Sequence, residues 1–208
     1  YRLIYLHVTI PMSQVGDVGQ LGRFLVANYL LYLRISGQFH LIVGMLALFG
    51  FDLPETNRLY LLASSFSDYW RRINIYWKDF MVKVFYYPAF FRLRKLGPTR
   101  GMVLATAFVF VVTWALHSYQ WFWLRGSFPV TVPDILFWGL IGLFVIVSSL
   151  REAKAGRTRT LGTKVWTLPE SFALALRTTG MFVTICVIWS LWTAGSLASW
   201  SALWIFGE

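Results

Sequence analysis

The chain has 208 residues, of which 57 % are hydrophobic and 19 % aromatic, and its mean hydropathy is +0.58. That composition argues against an ordinary soluble domain and places the chain among membrane proteins. A formal charge of +10 raises nucleic acid as a partner, but the Lys and Arg residues are gathered between apolar runs, the pattern of cytoplasmic membrane loops, and nucleic-acid binding is not expected.

The chain opens on Tyr1 rather than Met, and YRLIYLHVTI has no signal-peptide cleavage pattern, so the N-terminal part of a larger protein is expected to be missing. Tyr1 to Pro11 is too short to span a bilayer and reads as a helix tail ended by Pro11, with His7 a packed or interfacial histidine. The glycines of SQVGDVGQLG lack the spacing of a dinucleotide loop and suggest a linker or helix start. Leu21 to Phe51 holds two apolar blocks separated by Arg34, Ser36, Gly37, Gln38, Phe39 and His40. It reads as one long, tilted or broken helix, or as two half-length pieces. His40 is expected at the break as a hydrogen-bonded histidine, with the lining of a substrate path as its alternative role. Pro54 is expected to end the helix.

Ser64 to Pro88 reads as one amphipathic helix, capped by Ser67 or Asp68. Its projection puts Trp70, Ile73, Asn74, Trp77, Met81, Val84 and Phe85 on one side. Arg72, Asp79 and Lys83 lie on the other, with Arg71 and Lys78 at the boundary. Asn74 thus falls in the middle of the apolar face, where a carboxamide is costly without partners. Together with Arg92, Arg94, Lys95 and Arg100, the stretch is basic and aromatic enough to lie at a membrane interface and attract anionic head groups.

Gly101 to Leu124 contains no Asp, Glu, Lys or Arg. As a helix it is about 36 Å long, against about 30 Å for the hydrocarbon core. Thr106, Thr113, His117 and Gln120 fall on one face of it, a polar seam expected to meet a bundle interior or a wet cavity. A second span is predicted from about Ile135 to Leu150 and a third from about Phe172 to Trp192. Parity puts Arg100 and the basic loop from Arg151 to Lys164 on the cytoplasmic side, and Arg125 and the C-terminus opposite. Cys186 lies inside the last span as a small core residue, and a single cysteine forms no intrachain disulfide. His7, His40 and His117 are too far apart in sequence to form a metal motif, so no metal is expected. The fold class predicted is all-α: a polytopic membrane bundle forming a single transmembrane domain over 1–208, with an amphipathic interfacial or re-entrant helix.

Three stretches in order carry a family resemblance. LFGFDLPETNRLYL leads into SFSDYWRRINIYWKDF, which is similar to a "DFWRRWHIS…WLRDY" signature. WALHSYQW then resembles an "LWHG" helix, and FWGLIG at Phe137 to Gly142 resembles the helix that follows it. In this the chain resembles the membrane-bound O-acyltransferase family, in particular its bacterial alginate O-acetylation and D-alanyl transfer branch, over roughly Leu31 to Leu150. The resemblance implies a multi-pass protein of the bacterial inner membrane.

It also implies transfer of an acyl group from a thioester to a hydroxyl. The donor would be acyl-coenzyme A or an acyl carrier protein, with no bound cofactor. His117 would be the general base and Asn74 would assist, orienting substrate or donating to the oxyanion. Trp70, Trp77, Trp114 and Trp121 would wall an apolar tunnel, with Gln120 on its polar seam. Arg71 and Lys78 would hold a phosphate or carrier group at its mouth. Against this stands a non-catalytic membrane subunit that keeps such a scaffold to pack against partners in a larger complex, with His117 as a hydrogen bond between helices and Asn74 as interhelical glue.

Overall fold

A computed structural model of the chain describes residues 1–128, 130–156 and 167–205. The part of the predicted cytoplasmic loop from 157 to 166 lies outside them. Every regular element among the described residues is helical, and four stretches are long and apolar enough to cross a membrane. The protein is therefore an all-α polytopic membrane protein.

The three predicted spans are α7 (Pro98–Arg125), α8 (Val132–Lys154) and α9 (Leu168–Thr193). Pro98 stands at the start of α7, where its missing N–H costs nothing, and the chain leaves the other end through Gly126 at φ +75°. The fourth stretch is Val18–Leu48, formed by α2 (Val18–Leu30) and α3 (Leu33–Leu48). Of the two sequence alternatives, the structure takes the long broken helix, but the break lies at Leu31–Tyr32 rather than at Arg34 to His40. There Leu31 N–H is shared between the Ala27 and Asn28 carbonyls and Tyr32 N–H turns back to Tyr29, a locally tightened turn. The polar residues from Arg34 to His40 are all helical, because a helix satisfies its own backbone whatever the side chains. Nor does Pro54 end α3. Gly50, at φ +84°, closes it with bonds from Gly50 N–H to Ala47 and Phe51 N–H to Leu46, the paired bonds of a Schellman cap.

The amphipathic stretch is not one helix. Ser65, not Ser67 or Asp68, caps α4 (Phe66–Arg72) by accepting from Asp68 N–H. The chain is extended at Ile73 and left-handed at Asn74 (φ 42°, ψ 61°) before α5 (Ile75–Met81) begins. A π-turn over Val82–Tyr86 follows, then α6 (Tyr87–Leu93). Pro88 has no N–H to give the Val84 carbonyl, and the helix widens just where that bond is missing. Two short helices complete the described chain, α1 (Arg2–His7) and α10 (Leu197–Ala202).

The molecule divides into two compact units. One comprises 1–58, 129–137 and 183–208. Its centre is aromatic: Trp189 meets Tyr29 and Tyr32 edge-on, and Phe137 stacks on Trp192 at 4.7 Å. Two polar contacts fix it: Asn28 Nδ2–H donates to Thr193 Oγ1, and Trp192 Nε1–H donates to the buried Asp134 carboxylate at 2.8 Å.

The second unit comprises 59–128 and 138–182. Here α4, α5 and α6 pack along α7: Trp70 lies on Phe110, and Phe85 faces Phe108. Met81 and Ala105 are fully buried. The turn between α6 and α7 is tight, since a Cβ at Gly101 would stand 2.9 Å from the Arg94 Cα. From α8, Gly142 brings its backbone against the Phe110 ring, and Phe144 stacks on Phe66.

Candidate functional site

All of the sequence-predicted site residues belong to the second unit, and their neighbours there differ from one to the next. His117 lies in α7, partly buried, with its Nδ1 2.9 Å from the Thr113 carbonyl oxygen. A carbonyl can only accept, so Nδ1 carries a proton, and in the neutral ring Nε2 is the basic nitrogen. The ring is clasped by two indoles. Trp77 of α5 meets it edge-on at 5.0 Å, and Trp138 of α8 lies at 4.6 Å. Three helices distant in sequence therefore converge on this imidazole.

Asn74 is not on the apolar face of a helix, as its projection predicted. It is the N-cap of α5, its Oδ1 accepting from Trp77 N–H at 3.4 Å, and its left-handed backbone is one that asparagine tolerates better than most residues. It holds the backbone of Trp77, whose ring meets the histidine.

Polar atoms beside His117 that are buried with no hydrogen-bond partner among the described residues include Trp77 Nε1 and Thr113 Oγ1. Each such group costs about 1–3 kcal/mol when left unpaired. The remaining members of the predicted seam diverge. The Thr106 hydroxyl returns to its own helix at Met102, and Gln120 is exposed.

The two boundary cations already have acidic partners. Glu152, near the end of α8, accepts from the two terminal guanidinium nitrogens of Arg71, at 3.0 and 3.2 Å, and from the Ser67 hydroxyl. This hydrogen bond raises the Arg71 pKa above its ordinary value, against the opposing effect of partial burial. Lys78 pairs with its neighbour Asp79 at 2.7 Å. Trp70 is taken up by Phe110, and Trp121 receives the Arg125 guanidinium over its face at 4.0 Å. Trp114 is half-buried. Of the predicted walls, Trp77 touches the histidine ring.

Sequence reasoning overlooked Trp138, Glu152 and Asp134. Trp138 stands inside FWGLIG, and its place beside a helix bearing a lone imidazole was the available signal. Glu152 and Asp134 are acids at opposite ends of one apolar span, where a carboxylate needs a partner.

Fold and site together define a class: a multi-pass helical membrane protein with one imidazole clasped between aromatic rings within a span. No family model matches the chain, and neither a curated protein nor a solved structure is significantly similar to it.

Proposed function

We propose that the protein is a membrane-bound O-acyltransferase of the bacterial inner membrane, moving an acyl group from a thioester to a hydroxyl-bearing acceptor, with His117 as general base. One observation carries the reading. The segments that supply the family resemblance, SFSDYWRRINIYWKDF, WALHSYQW and FWGLIG, are far apart in sequence, and Trp77, His117 and Trp138 bring one ring from each into contact.

In the proposed reaction, His117 Nε2 takes the acceptor's hydroxyl proton as its oxygen bonds to the thioester carbonyl carbon. The carbonyl π pair moves onto oxygen, and on collapse the C–S bond breaks. The thiolate leaves with the proton from the imidazolium, giving an ester and a free thiol. Nδ1–H on Thr113 fixes the tautomer this requires. Asn74 acts as a positioning residue, capping α5 so that Trp77 stays against the ring. Arg71 and Lys78 remain candidates for a phosphate or carrier group, and binding there would compete with Glu152 and Asp79.

His117→Ala, assayed in membranes with radiolabelled acyl-coenzyme A and acyl carrier protein, should lower transfer by about 10²- to 10⁴-fold at unchanged protein level. Unchanged transfer would refute the mechanism. A second reading, a non-catalytic subunit, is favoured by one fact: the Asn74 carboxamide already has a structural task. It expects no transfer by the native protein and loss of a partner complex in the variant.

A further inference from the structure

We infer that the indole N–H of Trp77 is the donor that binds the thioester carbonyl and its developing oxyanion, a role the sequence offered to Asn74. This rests on the acyl-transfer reading above. Three observations lead to it.

First, Trp77 Nε1 is buried and lacks an acceptor among the described residues, although its ring lies against His117. The orphaned Thr113 hydroxyl is less telling, because a hydroxyl can rotate toward a carbonyl of its own helix. An indole N–H cannot turn independently of its ring. Its direction is set by packing, and a fixed dipole is what stabilises charge that develops during reaction.

Second, the Asn74 Oδ1 is engaged by the Trp77 backbone N–H, so the asparagine fixes the start of α5 and with it the indole in that helix's first turn. The carboxamide oxygen thereby positions the donor. Third, base and donor are on different helices, α7 and α5, in contact through their rings. A carbonyl carbon attacked by the hydroxyl oxygen that His117 Nε2 deprotonates would lie beside the ring that carries this N–H. As the acceptor oxygen bonds to carbon, the carbonyl electrons go to the carbonyl oxygen, which then accepts from Nε1–H until the thiolate leaves.

The probe is the pantetheine arm common to coenzyme A and carrier proteins, joined to two unreactive mimics. One is a ketone with a methylene between sulfur and carbonyl; the other is the thioether lacking the carbonyl oxygen. Each is made with an acetyl-length and a palmitoyl-length chain, and binding is measured by calorimetry on the full chain in nanodiscs. Trp77→Phe, which keeps an aromatic ring but loses the N–H, should bind the ketone about five- to tenfold more weakly while the thioether is unaffected. The sulfur isostere benzothienylalanine, installed at the same position, should behave alike while keeping the indole's shape. Equal losses on both mimics, or no loss on either, overturn the inference. If His117→Ala abolishes transfer while Trp77→Phe shows no ketone-specific loss, this inference alone fails. If the native protein binds neither mimic and transfers nothing, the acyl-transfer reading fails with it.

Discussion

Asn74 shows how one backbone angle reassigns a side chain. Read on a regular helix it stood alone among tryptophans; at φ 42° it becomes a cap, and its polarity is accounted for. Asn74→Gly keeps the left-handed conformation at no steric cost and should change stability by no more than about 0.5 kcal/mol. Asn74→Ala loses the cap and retains a Cβ that this conformation disfavours, and should cost about 1–2 kcal/mol. Denaturant unfolding in bicelles distinguishes the two, and equal losses would show that the carboxamide acts beyond the cap. His117 was legible in the sequence because an imidazole within an uncharged apolar run stands out. The indoles that hold it were not, since eleven tryptophans offer no local sign of which one turns inward.

At the scale of the element, helix contacts are decided by where side chains are absent. Gly139 and Gly142 lie one turn apart in α8, yet a Cβ at Gly139 meets nothing within 4 Å while one at Gly142 would stand 3.0 Å from the Phe110 ring. Gly139→Ala should therefore be neutral or slightly stabilising, and Gly142→Ala should cost about 1–3 kcal/mol. Gly101→Ala should cost at least as much, because there the obstacle is the Arg94 backbone. Thermal unfolding in detergent ranks the three.

The α4–α8 tether is weaker than its geometry suggests. The Arg71 side chain is 52 % exposed, so a double-mutant cycle on Arg71 and Glu152 should return less than about 1 kcal/mol. The Arg71 pKa is raised on folding, so its contribution is complete below the unfolded value and fades only as pH rises through the folded one. Both lie beyond the working range, and Arg71→Gln should change stability equally at about pH 6 and about pH 9.

For the whole molecule, the four apolar stretches imply a fixed order of crossings. In a Cys186→Ser background, cysteine placed at Ser127 should react with an impermeant maleimide from outside intact cells. Cysteine at Ala155 should react only after permeabilisation, as the basic loop predicts; the reverse labelling would invert the topology. The sequence alone determined the class and the spans, because the free energy of placing a helix in lipid is summed residue by residue along one element and needs no knowledge of its neighbours. It also exposed the lone imidazole, for the same reason. Only the tertiary structure decided that Asn74 caps a helix, that Glu152 answers Arg71, and that Trp77 and Trp138 close on His117. Those outcomes depend on a left-handed residue, a missing proline N–H and ring packing between segments dozens of residues apart, none of which leaves a periodic mark in the chain.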